Sequence, residues 1–78
     1  MNKFEQIRMS RLNDNIEVLN ILVDYLKYNP DIRFFQALYN VGIMDSKNVD
    51  RFYEEPSETL SRMKKTEFVK NHEKMINK

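Results

Sequence analysis

The sequence predicts an all-α fold, a small bundle of three to four helices built on an αα-hairpin. Three observations carry it. One Gly and two Pro in 78 residues favour helices joined by few turns. Met9, Leu12, Ile16, Leu19, Val23 and Leu26 alternate spacings of three and four, which aligns them on one helix face. Helix-start chemistry recurs at Asn29-Pro30-Asp31 and again at Pro56 with Glu58 two places on.

The first helix follows the seam from Met9 to about Tyr28. A second stripe, Val18, Ile21, Leu22 and Tyr25, lies beside it and leaves a narrow polar face of Glu17, Asn20, Asp24 and Lys27. A helix so widely apolar is either central in its domain or buried against a second chain. The second case predicts a homodimer interface of Leu19, Leu22, Val23 and Leu26, joined by Phe68, Val69 and Ile76 from the C-terminal segment. The cluster Asn13-Asp14-Asn15 is expected to fray or kink the start, leaving residues 1–11 as an arm.

Pro30 disfavours α geometry at Asn29, so the first helix ends near Tyr28. A second helix is expected over 30–41, with Asn29 as its cap, Pro30 at its first position, Asp31 in its first turn and Gly42 just past its end. Phe34, Phe35, Leu38 and Val41 then share an inward side, and Arg33, Gln36 and Asn40 form a polar ridge opposite. Two helices with so short a joint make the αα-hairpin.

Residues 43–55 show no clear period. A third helix starts at Pro56 and turns Leu60 and Met63 inward. Phe68, Val69, His72, Met75 and Ile76 form a stripe rotated by roughly 140° from those two, which one straight helix cannot bury on the same surface. Either Thr66 caps a separate amphipathic helix over 66–78, or the tail packs on another subunit. Without repeats or low-complexity segments, 1–78 is expected as a single helical domain.

Composition narrows the chemistry. The absence of Cys excludes disulfides and thiolate metal sites and fits a reducing cytosol. The longest apolar run, Ile21-Leu22-Val23, is far short of a membrane span, and no leader pattern is visible, so a cytoplasmic protein is expected. Enzyme chemistry finds no Cys nucleophile and no Gly-rich phosphate loop. The single histidine, His72, lies on an apolar stripe, as core or interface residues do. No catalytic residue, metal site or cofactor is therefore assigned. Asp50, Glu54 and Glu55 imitate a carboxylate site, but acids beside a helix start ordinarily complement its dipole.

Net charge is +1, too balanced for electrostatic binding of nucleic acid. Residues 45–58 carry a net −3 and residues 64–78 a net +3, which predicts pairing between the acidic middle and the basic tail, either within the chain or head-to-tail between chains. A helix-turn-helix regulator is the alternative, with Ala37, Gly42, Ile43 and Val49 at its turn. Both spacings in that turn are one residue too long. Its recognition helix would also bring Asp45, Asp50, Glu54 and Glu55 to the phosphates.

Protein binding fits better. Nine aromatic residues, 12% of the chain, exceed what a three-helix core of this size readily hides. Tyr and Arg are the usual anchors of interfaces. The expected partner-binding residues are Arg33, Gln36, Tyr39, Asn40, Asp50, Arg51, Tyr53 and Glu54.

The pattern Asn29-Pro30-Asp31-x-Arg33-x-x-Gln36, a loop, then Asp50-x-Phe52-Tyr53-Glu54-Glu55 resembles a group of small helical proteins encoded by bacteriophages and prophages. It covers about the middle half of the chain. The resemblance implies a phage gene product acting in the bacterial cytoplasm, one that binds and inhibits or redirects a host protein or defence complex. A subunit of a phage assembly or replication complex is a further possibility of the same class. Within the motif, Asp50 is expected to reach Arg33 or Gln36, so the ridge is either a structural lock on the loop or a grip on a partner.

Overall fold

The first helix begins before its apolar seam. The computed structural model describes residues 2–47 and 49–76, with side chains through Asn71. Helix α1 spans Lys3–Tyr28, so the expected N-terminal arm is helical and the Asn13-Asp14-Asn15 cluster does not interrupt it. The reason lies at its start: Asn2 Oδ1 accepts the Glu5 N–H at 2.8 Å, and Glu5 places an acid in the first turn.

At the other end, Asn29 closes α1 instead of opening α2. Its side-chain amide donates to the Tyr25 carbonyl at 2.9 Å and its backbone N–H to Leu26 O at 3.3 Å. Pro30 and Asp31 form a turn that Ile32 N–H closes onto Asn29 O. Helix α2 is consequently shorter than expected, Phe34–Asn40, with Arg33 at its N-cap. Gln36 Oε1 accepts the Arg33 N–H, supplying one half of a capping box. Helix α3, Pro56–Met63, starts at the expected proline, and α4, Glu67–Ile76, follows a break at Lys64–Thr66. Thr66 stands at the head of α4, where its carbonyl accepts Lys70 N–H. Its hydroxyl points back, donating to Met63 O at 2.6 Å.

The fold is all-α, with no strand among the described residues. Its core is formed by Leu22 and Tyr25 of α1, Ala37 and Val41 at α2, and Leu60 and Met63 of α3. Both inward assignments on α3 hold, and Val69 of α4 is buried as well. Tyr25 joins the layers: its ring meets Phe68 edge-on with centroids 4.8 Å apart, and its hydroxyl accepts Asn40 Nδ2 at 2.8 Å.

Helix α2 buries only half of the side expected of it: Val41 is buried and Leu38 packs against the core, but the two phenylalanines are not covered. Phe34 and Phe35 are both more than half exposed and pack edge-on against each other at 5.9 Å, while Ala37 and Val41 fill the core. The expected dimer residues also divide. Leu22 and Val69 are buried within the chain and so are closed to a second copy. Leu26 and Phe68 are half-buried, and Leu19 and Val23 are exposed. The side chains of His72, Met75 and Ile76 lie outside the described residues.

Candidate protein-interaction site

Between α2 and α3 runs a loop, residues 42–55, whose shape is set by charged side chains. Gly42 takes φ 85°, which turns the chain off α2; its N–H bonds to Tyr39 O and Met44 N–H to Leu38 O. Two Asx turns follow: Asp45 Oδ1 accepts Lys47 N–H at 3.0 Å, and Asp50 Oδ1 accepts Phe52 N–H at 2.9 Å.

Arg62, in the last turn of α3, reaches back and holds the loop from inside. Its Nε donates to Gly42 O at 2.8 Å and one terminal nitrogen to Ile43 O at 3.1 Å. The guanidinium also makes a two-point contact with the Glu54 carboxylate at 2.7 and 2.9 Å. Glu54 accepts in addition from Thr59 Oγ1 at 2.7 Å and from Arg51 at 3.0 Å. Arg51 bridges onward to Asp45 at 2.7 Å. Outside this cluster, Arg11 of α1 grips Glu55 at 2.7 and 3.0 Å.

The electrostatics follow from these contacts. Arg62 above all, with Thr59 and Arg51, holds the Glu54 carboxyl down at about 2. The Arg51 guanidinium lowers Asp45, and Arg11 lowers Glu55. A depressed carboxyl contributes stability above its unfolded value and loses it on acidification. From pH 5 towards pH 2, Glu54 is therefore expected to withdraw about 2 kcal/mol, less than full linkage because water still reaches the uncovered edge of the mostly covered pair. Urea melts across that range should show a step that Glu54→Gln largely removes.

Among the described residues, the acidic middle pairs with Arg11, Arg51 and Arg62 and not with Lys64, Lys65 or Lys70; Lys64 lies 3.9 Å from Glu17 of α1. The expected lock exists with different residues. Asp50 is spent on the Phe52 amide and does not reach Arg33 or Gln36, which bond to each other at the head of α2. Among the other expected partner residues, Arg51 and Glu54 belong to the lock, and Asn40 turns inward to Tyr25. Arg33, Gln36 and Tyr39 remain exposed on α2.

What the loop turns outward is aromatic. Phe52 is 81% and Tyr53 89% exposed, their rings edge-on at 4.9 Å. They border a shallow cleft of about 370 Å³ against Arg11 and Asn15 of α1. Of this pair the sequence-based set included Tyr53 and missed Phe52. The signal for both was their place between Asp50 and Glu54-Glu55, where the neighbouring charges are consumed locally.

The segment a helix-turn-helix would need as its recognition helix is this loop and not a helix. Among the described residues, no helix is long and apolar enough to cross a membrane. No protein-family model, curated protein or solved structure matches the chain, so its functional assignment rests on its own geometry.

Proposed function

We propose that this chain is a non-catalytic protein-binding module of phage type, one that inhibits or redirects a host protein in the bacterial cytoplasm. The observation that carries the proposal is the Phe52–Tyr53 pair, almost fully exposed on a loop anchored at Gly42, Ile43 and Glu54 by one guanidinium. Large rigid aromatics held ready in water are the residues that dominate interface energetics, because little conformational freedom remains to be lost on binding. The shallow cleft beside them, lined by Arg11, Asn15 and Glu55, supplies polar surface next to the anchors.

The test passes bacterial lysate, with and without nuclease, over immobilised wild-type protein and over Phe52→Ala and Tyr53→Ala variants. Both side chains are too exposed for their loss to unfold the chain. A stoichiometric protein that survives nuclease and binds at least about 30-fold more weakly to each variant is the expected result. Retention that nuclease abolishes, or capture indifferent to both substitutions, would overturn the proposal.

A further inference from the structure

Helix α1 carries two apolar faces, and the bundle uses only one. The face built on Val18, Ile21, Leu22 and Tyr25 packs against the rest of the chain. The other comprises Met9, Leu12, Ile16, Leu19 and Val23, exposed by 47, 52, 46, 58 and 46%. At 100° per residue it lies roughly 150° around the helix from the first, on the side facing away from α2 and α3. A second element can therefore lie along it on the side away from α2 and α3, with the Phe52–Tyr53 loop flanking it at Asn15.

The residue types identify that element. The stripe is a seven-residue repeat with Met9, Ile16 and Val23 at its first position and Leu12, Leu19 and Leu26 at its fourth. β-branched residues at the first position with Leu at the fourth favour two parallel strands. The flanking positions suit a copy of the same sequence. In parallel register Arg8 faces Asn13 and Asn15 faces Asn20 of the second chain, so no like charges meet there; Leu22, at the next flanking position, is buried in its own bundle. The monomer is also underfilled. Seven hydrophobic residues are buried among those described, and the Cα radius of gyration is 13.7 Å where a compact chain of this length would have about 11.5 Å. From Met9 to Leu26 the seam is about 27 Å long and offers on the order of several hundred Å² per partner, towards the low end of specific interfaces.

We propose that α1 of one copy pairs in parallel and in register with α1 of a second, along Met9, Leu12, Ile16, Leu19 and Val23. The dimer carries two Phe52–Tyr53 platforms on one rigid stem. A target with two sites is then held by both at once, with avidity well above that of either alone.

Sedimentation equilibrium on purified protein tests the pairing, with no binding partner present, so failure here leaves the proposed function standing on its own test. A dimer dissociating at on the order of micromolar concentration is expected, with Leu19→Glu weakening it at least about 30-fold by burying an unpaired charge. Leu19 is exposed in the monomer, so the variant keeps its helical circular dichroism. The chain has no Cys, so Leu12→Cys and Val23→Cys each introduce a unique thiol. Both variants form an interchain disulfide in the parallel register. An antiparallel pair brings at most one of them to itself, because the two positions are about 16 Å apart along the helix. A chain that stays monomeric far above the micromolar range, or a dimer untouched by Leu19→Glu, overturns the proposal. Crosslinking at only one of the two positions overturns the parallel arrangement.

Discussion

Replacing Arg62 by Ala is expected to cost about 3 kcal/mol and to lower the melting temperature by roughly 12–20 °C. The substitution removes four hydrogen bonds at 2.7–3.1 Å and strands three acceptors. The carbonyls of Gly42 and Ile43 lose their side-chain donor in a partly buried setting, and the mostly covered Glu54 carboxylate loses its main counter-charge. Leaving such groups unpaired costs more than the bonds contributed, which places the change well beyond an ordinary surface substitution. Arg62→Lys should recover only a small part, because one ammonium cannot serve two carbonyls and a carboxylate in the geometry of a planar fork. Urea melts of Arg62→Ala, Glu54→Gln and the double variant measure the coupling directly. Additive effects, or a loss under about 1 kcal/mol for Arg62→Ala, would mean that the loop holds its shape by other means.

Gly42→Ala is expected to be as damaging, again by about 3 kcal/mol, for two separable reasons. The backbone sits at φ 85°, where an L side chain costs about 1 kcal/mol. A Cβ there would also lie 2.8 Å from Thr66 Cγ2 and 3.1 Å from Met63 Cα. Thr66 has little room to rotate away, since its hydroxyl is committed to Met63 O, and the Met63 contact is backbone. Gly42→Asn separates the causes. Asn tolerates the dihedral, so if the collision dominates it should do no better than Ala. Thermal melts that show Asn close to wild type would assign the whole cost to φ.

Much of the architecture was legible because its signals are local. Pro56 with Glu58 marked α3, Leu60 and Met63 pointed inward, and of the two readings of the rotated stripe beyond Lys65 the structure takes the separate helix, with its break at Lys64–Thr66. Asn29-Pro30 misled because proline follows helix ends as readily as it begins helices. The amide of Asn29 serves the carbonyls of α1 and not the amides of α2. The misplaced start then turned Phe34 and Phe35 inward on paper, whereas both are exposed.

The loop was the least legible part. Arg62 bonds to backbone carbonyls nineteen and twenty residues away, and a carbonyl has no letter in a sequence. Charge counting pointed the acidic middle at the tail lysines, since it cannot tell which cations the fold brings within reach, and Arg62 comes to Glu54 from within α3. The α1 seam was visible as a period. Which of its stripes the domain would cover depended on α2 and α3, and so on tertiary packing.

The anchoring of the loop by Arg62 bears on how this surface diversifies. Two of the groups Arg62 holds are carbonyl oxygens, which every residue supplies, and the rest of the lock uses only Asp45, Arg51, Glu54 and Thr59. Lys47, Val49, Phe52 and Tyr53 stand outside it with exposed side chains. On the proposed function, mutation at those four positions would change what the surface recognises while the frame beneath stays constant, so related chains facing different targets would vary there first and at Arg62, Glu54 and Gly42 last.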